Sequence, residues 1–173
     1  MNSFFFIRHG KTIFNKEKRY TGLTNVPITN SSKTDILNSI QVLENQKITE
    51  IYSSPLLRSL QTSLLISSNL NIKINIIDAF KEKDFGILTG RKKVQYKKKF
   101  FFKGSHPYIY KKKIENALNK IKHKSNFIIS AHSGTFEYIC KILIKKNIKI
   151  KKIQNSQVLY FYKYDNKWEI NFL

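Results

Sequence analysis

The chain is poor in residues that would offer an alternative to a packed core. One cysteine in 173 residues, Cys140, excludes an internal disulfide framework and any zinc or iron–sulfur site built on several thiolates. Three prolines and six glycines leave no Pro/Gly/Ser linker, and there is no internal repeat or clear break in composition. No apolar run approaches the roughly 20 residues of a membrane span. The start, Met1 to Ile7, is apolar but lacks a basic flank and a small-residue cleavage site, so it reads as a first strand rather than a signal peptide. Acidic residues are scarce, 11 against 32 Lys+Arg, for a net charge of +21, and arginine is scarcer still, 4 against 28 lysines. The length suits one compact domain over residues 1–173, with a cytoplasmic location as the expectation.

A charge of +21 invites a nucleic-acid partner, because clustered Lys and Arg attract phosphate backbones. The composition argues against one. Lys, Asn, Ile, Phe and Tyr make up more than half of the chain. All five have codons made mostly or wholly of A and T, so an AT-rich coding sequence produces this profile without selection for binding. A nucleic-acid surface favours arginine, whose planar fork reaches phosphate and guanine bidentately. The runs Lys97-Lys98-Lys99, Lys111-Lys112-Lys113 and Lys145-Lys146 therefore read as solvated faces that can steer an anionic substrate.

Short β-rich runs alternate with amphipathic stretches, the pattern of an α/β sheet covered by helices. Ser3 to Arg8 reads as a buried strand, Glu50 to Ser53 as a short one, and Phe127 to Ala131 as a third. Ile72 to Ile77 alternates apolar and polar residues, as a half-exposed strand does. Gln157 to Tyr162 and Trp168 to Phe172 flank Asp165-Asn166 as a hairpin. Helical spacing groups Ile36, Leu37, Ile40 and Leu43 within Ser32 to Gln46. It also groups Tyr110, Ile114, Leu118 and Ile121, and then Phe136, Ile139, Cys140 and Leu143, with Cys140 as a small core residue. Pro55 is read as the first residue of a helix capped by Ser54, with Leu56, Leu57, Leu60 and Leu64 facing inward. Arg91 to His106 mixes lysine and aromatics without a period and reads either as a helix or as a flap over a site, the flap covering about residues 85–107.

Two strands end in chemistry. The first runs into Arg8-His9-Gly10-Lys11-Thr12 and a later one into His132-Ser133-Gly134 just before a helix, whose N-terminal amides favour an anion. Arg58 falls in the first turn after Ser53-Ser54-Pro55. Ligands bind at the C-terminal edge of parallel strands, so two histidines and two arginines converge where a phosphoryl group would be held.

These segments resemble the histidine phosphatase superfamily, with its phosphoglycerate mutase-like fold. The resemblance is carried in order by RHGKT (Arg8 to Thr12), Asn15, TGLTNVPIT (Thr21 to Thr29), SSPLLRSLQT (Ser53 to Thr62), KEKDFGILTG (Lys81 to Gly90) and SAHSG (Ser130 to Gly134). It implies a three-layer α/β/α sandwich around a mixed, mostly parallel six-stranded sheet. It also implies that His9 is a nucleophile that becomes a phosphohistidine, kept neutral by nearby cations. Arg8, Arg58 and His132 would hold the phosphoryl oxygens, with Asn15, Gly22 and a backbone N–H near Ser133 completing the pocket. Glu82 would protonate the leaving oxygen and then activate water. The family needs no metal and no cofactor. His106 and His123 lack motif support and read as surface residues.

Several positions depart from the family pattern. Lys11 stands where Glu is common, Asn30-Ser31-Ser32 lacks a Gly before the helix, and Ser133 replaces a Gly after His132. Gly104-Ser105-His106 stands where small phosphatases often carry Gly-Glu-Ser, so an acidic residue of the substrate pocket is missing. The short interval between Glu82 and His132 suits a phosphatase, resembling the α-ribazole phosphatase group, acting on a small phosphorylated metabolite as monomer or homodimer. Phosphoglycerate mutase-type transfer is the alternative within the class, and a non-catalytic basic binding protein the alternative outside it.

Overall fold

Apolar runs far apart in sequence become neighbours in one sheet. The computed structural model describes residues 2–93, 104–124, 126–144 and 151–173. Its strands are β1 (Ser3–Arg8), β2 (Glu50–Ser53), β3 (Lys73–Ile76), β4 (Phe127–Ala131), β5 (Val158–Tyr164) and β6 (Lys167–Phe172). They lie in the order β3-β2-β4-β1-β5-β6. The first four in that order are mutually parallel, and β5 and β6 run antiparallel to their neighbours. The expected mixed, mostly parallel six-stranded sheet is therefore present.

Alternation along β1 explains the layers. Phe4 and Phe6 pack on one face with residues of α4 (Pro107–Ile121) and α5 (Ser133–Leu143). Phe5 and Ile7 pack on the other with α2 (Ser31–Leu43) and α3 (Leu57–Leu70). A strand covered on both faces needs a continuous apolar run, and both β1 and β4 have one. The edge strand β3 is half-exposed, as its alternation predicts. The β5–β6 turn holds Asp165 and Asn166 at φ 47° and 58°, the left-handed pair that a two-residue hairpin loop requires. A short helix, α1 (Ile13–Lys16), follows the first strand–loop junction.

Register brings the site together. Arg8 lies beside Ala131, and Ser53 beside Ser130, so β1, β2 and β4 end level with one another. The residues that follow, His9, Ser54 and His132, leave the sheet at one edge.

Two helix readings change. In α2 the buried positions are Ser32, Ile36, Ile40 and Leu43, while Leu37 is exposed. Helix α3 begins at Leu57, so Pro55 precedes it, and the Ser54 hydroxyl accepts at 3.3 Å from the N–H of Leu56, the residue just before the helix, rather than from its first turn. Its buried face is Arg58, Ser59, Thr62, Ser63 and Ile66, whereas Leu64 is 52% exposed. Polar side chains can take the inward face because each finds a hydrogen-bond partner there, which removes the penalty of burying it. Helix α4 buries Tyr110, Ile114, Leu118 and Ile121 as expected, and Lys111, Lys112 and Lys113 are solvated. Cys140 is a core residue whose thiol burial pushes up to about 12. Lys97 to Lys99, Lys145, Lys146 and residues 94–103 of the expected flap lie outside the described residues. Among the described residues no helix is long and apolar enough to cross a membrane.

Phe161 is fully buried and stacks on Phe4 with ring centroids 4.6 Å apart. Phe161→Ala is expected to cost about 3–5 kcal/mol of unfolding free energy, measured by urea denaturation.

Candidate active site

His9 follows directly from β1 and is 3% exposed. Its backbone N–H donates to the Ala131 carbonyl at 3.0 Å, which ties the loop to β4. Nδ1 lies 2.8 Å from the Gly10 carbonyl, an atom that only accepts, so Nδ1 carries the proton. Nε2 then holds the lone pair, and Arg58 Nε–H approaches it at 3.3 Å. Burial first, then the charges of Arg58 and Arg8, hold the imidazole well below its ordinary 6.5. Cations do suppress protonation as expected, but removal from water is the larger cause.

Arg58 is fully buried at the start of α3. Nη1 donates to the Thr24 carbonyl and Nη2 to the Gly22 carbonyl, both at 2.8 Å. Gly22 thus enters the site through its main chain. It sits at φ +53°, a left-handed conformation that glycine adopts without cost, and a Cβ there would stand 3.2 Å from Thr89 Oγ1. Burial lowers the Arg58 guanidinium to about 10, still charged at neutral pH. Arg8 donates from Nη1 to the Ile153 carbonyl at 2.8 Å, while its Nε is buried without a partner.

His132 is fully buried, with its ring centroid 5.1 Å from that of His9. Its Nε2 lies 2.8 Å from the Ser54 hydroxyl, and its Nδ1 is buried without a partner. Burial, followed by the Arg58 charge, keeps this imidazole well below its ordinary value too. Buried polar atoms are almost always satisfied, so two orphans in one site mark where a ligand's oxygens would sit.

Glu82, 7% exposed, lies beside the start of α5. Oε1 accepts from its neighbour's N–H at Lys83 (3.0 Å) and Oε2 from the Gly134 N–H (3.2 Å). A Cβ at Gly134 would stand 2.0 Å from Oε1, so any larger residue there would push the end of the Glu82 side chain off this position. Ser133 itself is exposed. Asn15 closes a capping box with Thr12, and its Oδ1 accepts from the Thr12 N–H, the Thr12 hydroxyl and Asn155 Nδ2. That saturates the carbonyl end of the amide and leaves its NH2 as the donor group.

His9, Arg58, His132 and Glu82 are thus brought together, with Arg8 and Asn15 at their side. His106 and His123 are exposed. Lys11 is exposed. Ser105, where an acidic pocket residue was missing, instead fastens the Glu82 loop: its hydroxyl accepts from the Asp84 N–H at 2.8 Å.

Several contributors carry no sequence signal. Asn155 donates to the His9 carbonyl at 2.9 Å, yet it is one of sixteen asparagines. Thr62, which the motif reading included but gave no role, accepts from the Gly10 N–H at 2.9 Å. Lys93 is hidden among lysines. Its ammonium lies 5.6 Å from the Tyr20 ring centroid, and its pKa is lowered by burial first and then by the Arg8 charge. Tyr20 packs on Phe85 at 4.9 Å, which aligns this cation with the same site.

Comparison with known proteins agrees with this geometry. The sequence model of the histidine phosphatase superfamily (branch 1) matches residues 4–172. The 2,3-bisphosphoglycerate-dependent phosphoglycerate mutase of Pelagibacter ubique is 24% identical over 84% of this chain and 82% of its own. That of Methanococcus vannielii is 34% identical over 56% of this chain and 42% of its own. Among solved structures, a mycobacterial glucosyl-3-phosphoglycerate phosphatase superposes with TM-score 0.87 at 14% identity, covering 99% of this chain and 98% of that one. A structure described as a putative alpha-ribazole-5'-P phosphatase of Escherichia coli gives 0.85 at 18% identity, covering 100% and 96%.

The neutral histidines couple stability to pH. The unfolded chain protonates each imidazole near 6.5, whereas the folded chain does so only well below that value. Below about pH 6.5 the unfolded state therefore binds more protons, and stability falls as pH drops. Urea unfolding is expected to show lower stability at pH 5 than at pH 7; equal or higher stability at pH 5 would contradict the neutral pair. Separately, Gly134→Ala is expected to change stability by less than about 1 kcal/mol in the same assay, because it displaces only the movable end of Glu82 and alanine favours the helix over glycine.

Proposed function

The chain belongs to the histidine phosphatase superfamily, branch 1, and on that premise we propose that it hydrolyses a small phosphomonoester through a phosphohistidine on His9. The observation that carries the reading is the His9 tautomer: Nδ1–H is committed to Gly10, so Nε2 carries the lone pair, engaged only by a long contact from Arg58 Nε–H at 3.3 Å.

In this reading the phosphoryl group sits against Arg8, Arg58, His132 and the Asn15 NH2. If the Ser54 hydroxyl donates to His132 Nε2, then Nδ1–H is the unpartnered donor that meets a phosphoryl oxygen. Nε2 attacks phosphorus as the bond to the leaving oxygen breaks, and the long Arg58 Nε contact yields to the incoming group. Fixed donors stabilise charge that spreads over the equatorial oxygens without reorganising at the moment of reaction. Glu82 supplies a proton to the leaving oxygen. It then takes one from the water that attacks the phosphohistidine, and phosphate is released.

A second reading, phosphoryl transfer between hydroxyls of a phosphorylated acid, draws support from the likeness to phosphoglycerate mutases and from Lys93. That ammonium, within reach of the Arg8 and Glu82 charges, suits a substrate with a second anionic group. Water exclusion decides between the two, since a transferase must protect the phosphohistidine.

Metal-free hydrolysis of p-nitrophenyl phosphate, inhibited by vanadate, is expected for the wild-type chain. His9→Ala should lower kcat by at least about 10³-fold. Equal rates for wild type and His9→Ala would remove the proposal. Faster interconversion of 2- and 3-phosphoglycerate than phosphate release would replace it with the transferase reading.

A further inference from the structure

The backbone on both sides of Glu82 is held by α4. On the N-terminal side, the Tyr110 hydroxyl donates to the Lys81 carbonyl at 2.8 Å. Its partner hydroxyl on α5, Thr135 Oγ1, lies 3.2 Å from it and reaches the Phe80 carbonyl at 3.1 Å. On the C-terminal side, the residue pair just before α4 clips Asp84: the Asp84 N–H donates to Ser105 Oγ at 2.8 Å, and the Ser105 N–H returns to the Asp84 carbonyl at 3.2 Å. Gly104 permits this approach, since a Cβ there would stand 2.5 Å from the Asp84 oxygen.

These attachments close a circuit. Gly134 N–H holds the Glu82 carboxylate, and the next residue, Thr135, holds the backbone two residues before Glu82. Tyr110 and Thr135 are buried, 7% and 0% exposed, and without the Tyr110 hydroxyl the Lys81 carbonyl would keep only the longer Thr135 Oγ1 contact, at 3.5 Å, of these two. Tyr110 is also braced edge-on against Tyr138 of α5, ring centroids 5.1 Å apart and 87° between planes. The hydroxyl keeps its proton, because burial first and the nearby Glu82 charge second push its pKa well above 10.

We propose that Tyr110 is a positioning residue for Glu82, fixing through the Lys81 carbonyl the reach of the carboxyl group that delivers a proton to the leaving oxygen. Tyr110 touches neither substrate nor reacting atoms. It sets the point from which three side-chain torsions of Glu82 begin, and an error of about 1 Å there is costly to proton transfer. The inference rests on Glu82 being the proton donor, as read above.

Leaving groups separate this role from a merely structural one. p-Nitrophenolate leaves with little need for a proton, whereas the alkoxide of an alkyl phosphate such as β-glycerol phosphate depends on one. Tyr110→Phe is expected to lower kcat/KM about 10-fold or more for β-glycerol phosphate and less than about 3-fold for p-nitrophenyl phosphate, a fraction of the 10²–10⁴ that a general acid contributes. Vanadate inhibition should be unchanged, reporting an intact phosphoryl pocket. Thr135→Val should shift the ratio in the same direction, and it keeps the test open if Tyr110→Phe fails to fold. Equal losses on the two substrates, or none, would overturn the positioning role. Glu82→Gln is the control: a larger loss of kcat/KM on the alkyl substrate than on p-nitrophenyl phosphate supports the donor assignment. A flat leaving-group response in Glu82→Gln overturns that assignment and the proposal with it, while leaving His9 untouched.

Discussion

A buried guanidinium without a carboxylate against it organises this molecule. Arg58 is fully enclosed, and its guanidinium donates to two backbone carbonyls, Gly22 and Thr24, while the Glu82 charge supports it without forming an ion pair. Enclosing a charge is costly unless every donor finds a partner. The loop carrying Gly22 must therefore fold back over α3, and glycine's left-handed conformation makes that turn possible. Because the carbonyls carry no net charge, the cation's field reaches His9 and His132 and helps to keep both imidazoles neutral. A carboxylate in the same place would have cancelled the field that an incoming phosphoryl group requires.

The polar face of α3 follows from the same constraint. Thr62 receives the Gly10 N–H, Ser59 donates to the Ser130 carbonyl, and Ser63 meets Ser53, so the helix grips the ends of three strands by hydrogen bonds. Leucines there would pack well but could not satisfy backbone groups where the strands break off. Glu82 is held by comparable means at the other side of the site, through the Gly134 amide and the Tyr110–Thr135 pair. The site is rigid because main-chain atoms, not only side chains, are its partners.

Much of the architecture was legible in the chain. The unbroken apolar runs of β1 and β4 required cover on both faces, and the Asp165-Asn166 pair required a tight hairpin. The motifs, read in order, located His9, Arg58, Glu82 and His132, which lie up to 123 residues apart and converge at one sheet edge. The inward face of α3 was not legible, because helical periodicity scores apolarity and the buried positions there are hydroxyls with distant partners. Ser54 looked like a helix cap for the same local reason, whereas its hydroxyl lies against His132, 78 residues away.

By itself the sequence determined the layered α/β arrangement and the chemical types at the site, since periodicity and residue identity are local properties. It set the arginines apart too, for in a chain with seven lysines to each arginine, the position of an arginine is informative. Only the tertiary structure decided which nitrogen of His9 carries the lone pair, that the Asn15 amide oxygen is taken up by Thr12 and Asn155, that Asn155 reaches the His9 carbonyl, that Tyr110 reaches the Lys81 carbonyl, and that the Gly134 N–H meets the Glu82 carboxylate. Each of those depends on a hydrogen bond or a contact between residues far apart in the chain, whose geometry is set only when the sheet edge and the helix ends are brought within about 3 Å of one another.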